Sequence, residues 1–291
     1  MADVVTFTEL RPLLFSIAYR MLGSVAEAED VLQEAFIRWE RVDGSEVTSP
    51  KAFLSSVVTR LCIDQLRAAQ ARREEYVGPW LPEPLLVDDI DPGERAELSD
   101  SLSTAFLVVL ESLSPLERAA FLLRKVFRYP YPEIAEMLDR SEASCRQLVH
   151  RAREHVSAKR KRFDATRQQQ DSVLERFLAA CATGDLEELM ALLTDDASLI
   201  SDGGRKTTAA RRPIFGREKV ARFVRGVTRK RPEHVEIQIA RINSAPGIVL
   251  TSDGDPWTVL TLDCAGDRIQ AIHIVANPDK LRSLRLGRMA R

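Results

Sequence analysis

Asp202, Asp263 and His273 are the residues of this chain whose types suit proton transfer, and a small cyclase or isomerase needs a positioned base of this kind. His273 stands in "IQAIHIV", where a lone histidine on an apolar strand is ordinarily a hydrogen-bonded structural residue. Asp202 opens "SDGGRK" with Lys206. A glycine-rich turn can cradle phosphate, but this one lacks the Walker spacing and the Ser or Thr that starts the following helix, so a plain turn is the default. Cys62, Cys145, Cys181 and Cys264 are far apart, with no CxxC pair and no histidine at ligand spacing. Reduced, mostly buried thiols are expected rather than a metal site or a disulfide framework. No catalytic residue, metal site or cofactor is assigned from these positions. The most concentrated chemistry is basic: Arg140, Arg146, Arg151, Arg153, Lys159, Arg160, Lys161 and Arg162 are opposed locally only by Glu142 and Glu154, a density that could face a polyanion.

The elements that must position these residues begin with helices. After Ser24 and Glu27, which read as a capping box, Ala28, Val31, Leu32, Ala35, Phe36 and Trp39 recur at helical spacing to about Arg41. The opposite face carries Glu27, Asp30 and Glu34 as an acidic strip followed by Arg38 and Arg41, ordinarily a solvated face and alternatively a docking strip. The loop "VDGSEVTS" follows. Ser49 and Pro50 then start a second helix, apolar through Phe53, Leu54, Val57, Val58, Leu61, Ile63 and Leu66, and basic at Arg60, Arg67, Arg72 and Arg73.

From about Tyr76 to Pro92 the periodicity stops, and prolines and aspartates mark an extended connector. It contains "WLPEP", an apolar Trp80 and Leu81 stiffened by Pro82 and Pro84, which a solvated linker would avoid. Ser114 to Glu117, with Pro115 at the first helical position, forms a second capping box and starts a helix to about Val126. "YPEIAEMLD" gives a short helix, Arg140 and Ser141 a turn, and Glu142 to about Val156 a further helix. Ile134, Ala135 and Leu138 would pack on Cys145, Leu148, Val149 and Ala152, leaving Ser144, Arg146, Gln147, His150, Arg151 and Arg153 outward. This is helix-turn-helix spacing, in which the second helix enters a major groove, and Arg and Gln there can make bidentate contacts to bases. Helix hairpins also occur in proteins that never meet DNA.

The order "AEDVLQEAFIRW", basic helix, connector, "LSPLERAAFLLRKVFRYPYPEIAEML" and "SEASCRQLVHRARE" resembles the extracytoplasmic-function sigma factors of bacterial RNA polymerase over about Phe7 to Arg162. The resemblance implies an alternative-sigma transcription initiation factor that binds core polymerase and directs it to specific promoters. Glu27, Asp30, Gln33, Glu34 and Arg38 would contact the clamp helices of the largest polymerase subunit. Arg60, Asp64 and Arg67 would hold the -10 element, whose extruded base is readable on its pairing edge. Ser144, Arg146, Gln147, His150, Arg151 and Arg153 would serve the -35 element, with the flap of the second-largest subunit as a further partner.

Beyond this match, from Gln168, three helical stretches precede "HVEIQIARIN", "GIVLTS", "PWTVLTLDC" and "DRIQAIHIV", short and β-branched. Helices first and strands later imply an α+β domain with a curved antiparallel sheet. The order resembles the SnoaL-like, NTF2-like cone, a fold that hosts enzymes and binders alike. The expected architecture is therefore two all-α sigma domains, the second a helix-turn-helix, and an α+β cone. The expected boundaries are 1–73, a linker 74–101, 102–163 and 164–291.

"WLPEP", "DGGRK" and "NPDKL" together resemble the sigma-factor group with a fused SnoaL-like domain, the SigJ-like group, in which the middle motif usually reads DGGGK; here Arg205 replaces the third glycine. That resemblance implies a regulator carried in cis, with no separate anti-sigma factor and no membrane partner. Trp80, Leu81, Pro82, Glu83 and Pro84 would dock near Asp202, Gly203, Gly204 and Lys206 and near Asn277, Pro278, Asp279, Lys280 and Leu281, fixing the distance between the DNA-reading domains. Prolines that hold the segment extended lessen the entropy lost on docking. Two alternatives remain: a DNA-binding module fused to a small-molecule enzyme or ligand sensor, and a one-component repressor. An enzyme should show a cavity with convergent polar groups, and a docking domain an interface filled by WLPEP.

A chain of 291 residues supports two or three cores, no run approaches the roughly 20 apolar residues of a bilayer span, and "MADVVTFTELRPLLF" lacks the basic start of a signal peptide. A cytoplasmic location is expected. The basic tail "RLGRMAR" reads as a solvated end.

Overall fold

A computed structural model describes residues 4–42, 47–73, 78–86, 102–159, 165–204, 206–207, 209–230 and 234–284. Arg205, the tail from Arg285 and most of the loop after Val42 lie outside the described residues. The chain divides into two compact units, one of Met1–Glu75 with Phe106–Arg160 and one of Tyr76–Ala105 with Lys161–Arg291. The helices on either side of the connector thus share one unit, and the connector belongs with the C-terminal domain.

The first unit opens with α1 (Val4–Leu22), which tolerates Pro12 within it. Ser24 caps α2 (Val25–Glu40), its hydroxyl accepting from the Glu27 amide at 3.3 Å. Ala28, Val31, Leu32, Ala35 and Trp39 form the buried stripe of α2, and the Trp39 ring lies 5.8 Å from Phe53 on α3 (Pro50–Arg73). After α4 (Thr104–Leu110) comes α5 (Pro115–Phe121), opened by the complete Ser114–Glu117 capping box and continued by one π-helical stretch, Leu122–Val126. Pro132 sits in the first turn of α6 (Tyr131–Leu138), which ends at Asp139 in the left-handed region (φ 51°), and α7 (Glu142–Lys159) follows. Ile134 and Leu138 are buried with Cys145, Leu148, Val149 and Ala152 as the spacing predicts, whereas Ala135 is only half-buried and Met137 takes the third inward position.

Two sets of polar contacts join α1–α3 to the later helices. Arg118, only 3% exposed, donates to the carbonyls of Leu110 (3.0 Å) and Met21 (2.7 Å) and to Glu111 (2.8 Å). The Ser55 and Tyr129 hydroxyls lie 2.8 Å apart in the core, and Arg60 donates to the carbonyls of Glu136 and Met137 at the C-terminal end of α6, both at 2.8 Å.

In the second unit, α8 (Arg167–Thr183), α9 (Leu186–Leu192) and α10 (Arg217–Thr228) pack on a six-stranded sheet. Its strands are β1 (Leu193–Asp202), β2 (Ile214–Phe215), β3 (Val235–Ile242), β4 (Ala245–Ser252), β5 (Asp255–Ala265) and β6 (Arg268–Val275), in the order β2-β1-β6-β5-β4-β3. This is the expected α+β cone with one correction: the sheet is mixed. β3 to β6 form an antiparallel meander, but β1 pairs with β6 in parallel. The polar start of β1, "LTDD", hides it from a strand pattern, while Ala197, Leu199 and Ser201 alternate inward. Val173, Leu174 and Phe177 of α8 meet Val220 and Val224 of α10 and Ile248, Leu262 and Ile272 of the sheet in the core.

Candidate functional site

On α2 the residues Glu27, Asp30, Gln33 and Arg38 are exposed and Glu34 is half-buried, with Arg38 donating to Glu34 at 2.9 Å. The strip faces solvent because Val31, Leu32 and Ala35 occupy the inward positions. On α3, Asp64 and Arg67 are exposed and 3.6 Å apart, whereas the Arg60 guanidinium is already engaged with the end of α6.

On α7, Arg146, Gln147, His150, Arg151 and Arg153 are exposed and Ser144 is half-buried. Arg146 bonds Glu142 at 2.6 Å and lies 4.5 Å from the Tyr131 ring centroid, and Arg151 lies 3.4 Å from Glu117. The Arg146–Glu142 pair is exposed and worth only ~0–1 kcal/mol, so it orients Arg146 without holding it from another partner.

Asp202 is a heavily bonded polar group among the described residues of the second unit. It is 1% exposed, accepts the Gly204 amide at 3.1 Å on Oδ1, and accepts both the Leu81 amide (2.9 Å) and Lys280 Nζ (2.7 Å) on Oδ2. Lys280 also donates to the Leu81 carbonyl and places its ammonium 4.3 Å from the Trp80 ring centroid. One lysine therefore binds the connector by a hydrogen bond and a cation–π contact while its charge is balanced by a buried carboxylate. Leu81 is fully buried, Pro82, Glu83 and Pro84 are buried, and Trp80 is half-buried.

The rest of the clasp orders these groups. Asn277 caps the 3-10 turn Pro278–Leu281 by accepting the Asp279 amide at 3.1 Å, which sets Lys280 toward the connector and Leu281 into the core. The amides of Ala276 and Asn277 both donate to the Asp202 carbonyl, at 2.8 and 3.0 Å. Gly204 has φ +57°, and a Cβ there would meet Asn277 Nδ2 at 2.8 Å. A Cβ at Gly203 would lie 2.5 Å from the Thr207 carbonyl oxygen, so both glycines are required by close approach. Lys206 closes the outside with a 2.8 Å bond to Asp279, whose carboxyl it holds below the usual range.

Asn243 extends the contact along the connector and was not singled out by sequence. Its side chain accepts the Leu85 amide and its own amide donates to the Leu85 carbonyl, both at 2.8 Å, and Leu86 makes an antiparallel bridge to Ile242. Asn243 and Ser244 have φ of 52° and 62°, a hairpin turn that "NS" between β-branched runs can signal. Nothing in the sequence says which segment that asparagine would meet.

The cone encloses a cavity of about 150 Å³ between α8, α10 and the sheet, lined mainly by apolar side chains such as Phe177, Phe223, Leu250, Trp257 and Leu260. None of the proton-transfer candidates lines it. His273 and Asp263 are buried on the other face of the sheet from Leu262 and Ile272, their nearest atoms 2.9 Å apart at an angle that makes no hydrogen bond. Asp202 points into the clasp. The connector residues Trp80 to Leu86 fill the surface beside Asp202 and beside Asn243.

Cys62 and Cys145 are buried, and desolvation raises both thiols. Burial and the neighbouring Asp263 push Cys264 up to about 12, so these thiols are not poised for reaction. Among the described residues there is no cluster of side chains suited to a metal ion, and no helix is long and apolar enough to cross a membrane.

Two helical domains of this order, the second a helix-turn-helix, define a sigma factor, and the α+β domain is an extension to it. The models for sigma-70 region 2 and sigma-70 region 4 match residues 6–72 and 103–156. The chain is 37% identical over 290 residues to the ECF RNA polymerase sigma factor SigJ of Mycobacterium tuberculosis, covering 96% of this chain and 93% of that protein. It is 30% identical over 278 residues to the probable ECF sigma factor SigI of the same organism, covering 94% and 93%. The crystal structure of M. tuberculosis SigJ aligns with a TM-score of 0.75 at 34% identity over 96% of this chain and 98% of that one. The chain belongs to the extracytoplasmic-function RNA polymerase sigma factors, which direct promoter-specific initiation of transcription, and the similarity runs through the C-terminal domain.

Proposed function

We propose that this sigma factor is regulated in cis: its C-terminal domain grips the connector between the two sigma domains and so governs how far apart they can sit on a promoter. The observation that carries this reading is the buried, directly bonded Asp202–Lys280 pair, whose carboxylate accepts the Leu81 amide and whose ammonium donates to the Leu81 carbonyl. A buried charge pair of this kind is worth retaining where it specifies one partner, and here that partner is backbone from a segment about 120 residues away. The Arg60 contact to α6 supports a restrained form, since Nε and Nη2 of that guanidinium already donate to α6 carbonyls.

In this reading Glu27, Asp30, Gln33, Glu34 and Arg38 meet the clamp helices of the largest polymerase subunit. Arg60, Asp64 and Arg67 serve the -10 element, and Ser144, Arg146, Gln147, His150, Arg151 and Arg153 the -35 element, with the flap of the second-largest subunit holding the helix-turn-helix. The factor acts in the cytoplasm, with the C-terminal domain as a binder rather than a catalyst and without a separate anti-sigma factor. Run-off transcription with core polymerase on genomic promoter fragments tests it. The full chain should support initiation, Asp30→Lys should lose it through core binding, and Gln147→Ala should lose promoter selectivity while still binding core. Initiation without the added chain, or undiminished by either change, contradicts the assignment of these surfaces.

A further inference from the structure

The cavity in the cone has a size, a chemistry and a connection that the clasp does not need. At about 150 Å³ it has the volume in which a buried apolar site accepts a benzene-sized molecule. Its described lining holds no carboxylate, ammonium, guanidinium or imidazole, so a charged ligand would surrender its hydration without compensation. Its polar side chains are a few hydroxyls, the Cys181 thiol and the Trp257 indole. The buried Ser201 hydroxyl accepts the Ala210 amide at 3.0 Å, which leaves its proton to offer to an acceptor, while the Thr228 hydroxyl already donates to the Val224 carbonyl. Val227 and Ile237, 41% and 47% exposed, line the cavity and give it an apolar way in beside the edge strand β3.

We propose that this cavity binds a small uncharged molecule, a single ring or short branched chain with one carbonyl or ether oxygen, and that its occupancy is felt at the connector. This deepens, and rests on, the reading of the clasp as a regulator. The connection is covalent and short. Ser201 and Ala276 line the cavity from the ends of β1 and β6, and the residues that follow them, Asp202 and Asn277, hold Leu81 and the Lys280 turn. The Ala276 amide donates to the Asp202 carbonyl, so the two strand ends move together. A ligand in this space packs against those ends, and it shifts the connector by its difference in affinity for the held and released states.

The test uses the full chain and 4-fluoroacetophenone as probe, observed by ¹⁹F NMR, with 4-fluorobenzoate as its charged counterpart. The ketone should exchange-broaden, the carboxylate should not, and Leu260→Phe, which fills the cavity, should abolish the effect. Leu250→Phe stands in should that variant fail to show a cooperative thermal transition. Hydrogen exchange at the Leu81 amide should change on the order of threefold with the ketone present in the native chain and not in the filled variant. No broadening, or equal broadening in the filled variant, overturns the site; equal binding of the carboxylate overturns the ligand class; binding without a change at Leu81 overturns the connection. The regulatory reading fails separately. If Trp80→Ala leaves transcription unchanged while the ketone binds, the clasp has no regulatory role and the site stands; if Trp80→Ala alters transcription and no ketone binds, the reverse holds.

Discussion

Leu81 donates its backbone amide to Asp202 Oδ2 at 2.9 Å, joining two residues 121 positions apart in the chain. The bond is made to backbone and not to the leucine side chain, which is itself fully buried, so the connector is held by its path as well as by its composition. Lys280 completes the contact from the other side, bonded to both the same carboxylate and the Leu81 carbonyl.

Lys280 belongs to a buried ion pair and Lys206 to a surface one. Lys280→Met leaves Asp202 without its balancing charge in a fully buried position and should destabilise the protein by about 3 kcal/mol. Lys206→Met removes a pair whose side chains are 57% and 44% exposed and should cost less than about 1 kcal/mol. Denaturant unfolding of the two variants side by side checks the ranking, and equal effects would count against the clasp geometry.

Arg118 should behave as a structural cation. Burial lowers its guanidinium to about 10, so it stays charged at neutral pH, and it satisfies the carbonyls of Leu110 and Met21 together with Glu111. Arg118→Ala strands all three acceptors and is expected to cost about 3–5 kcal/mol, seen as a large fall in the thermal midpoint. A fall of only a degree or two would show that water replaces the guanidinium.

How much of this was legible in sequence differs by element. Ser114 and Glu117 announce a helix start through a local exchange of hydrogen bonds, and the stripes on α2, α6 and α7 follow from spacing alone; both are short-range facts. The parallel pairing of β1 with β6 is not, since its register depends on a partner about 70 residues onward and its first residues are polar. Only the family resemblance groups Trp80, Leu81, Asp202 and Lys280, and in the fold Lys280 touches the other three. Asn243 was missed because a turn asparagine looks the same whether it bonds its own loop or, as here, Leu85. His273 and Asp263, read as possible bases, lie on the face of the sheet that the cavity does not use; strand alternation places them there only once the register is known.

Tyr129 gives a pH dependence with a defined sign. Burial and the nearby Glu133 raise its phenol above the ordinary value of 10.0, against the lowering effect of the Ser55 hydrogen bond. The unfolded chain ionises first, so the stability this group contributes is whole below pH ~10 and is lost as pH rises through the higher folded value. Alkaline unfolding curves should be steeper above pH 10 for the native protein than for Tyr129→Phe; identical slopes would place the phenol in water.

Gly204→Ala should weaken the clasp without touching the connector. The residue has φ +57°, and the new methyl would press on Asn277, so a cost of about 1–2 kcal/mol is expected from the backbone alone. Faster hydrogen exchange at the Leu81 amide, with exchange in α2 unchanged, is the signature; uniform acceleration would mean general destabilisation instead.

The most direct measurement is promoter run-off transcription with core polymerase and the full chain, native against Trp80→Ala and Lys280→Met, with limited proteolysis of the connector on the same samples. The expected result is a several-fold change in initiation rate in both variants, of the same sign, together with faster cleavage within the connector. Native rates of initiation together with native protection from cleavage in both variants would contradict regulation through the clasp.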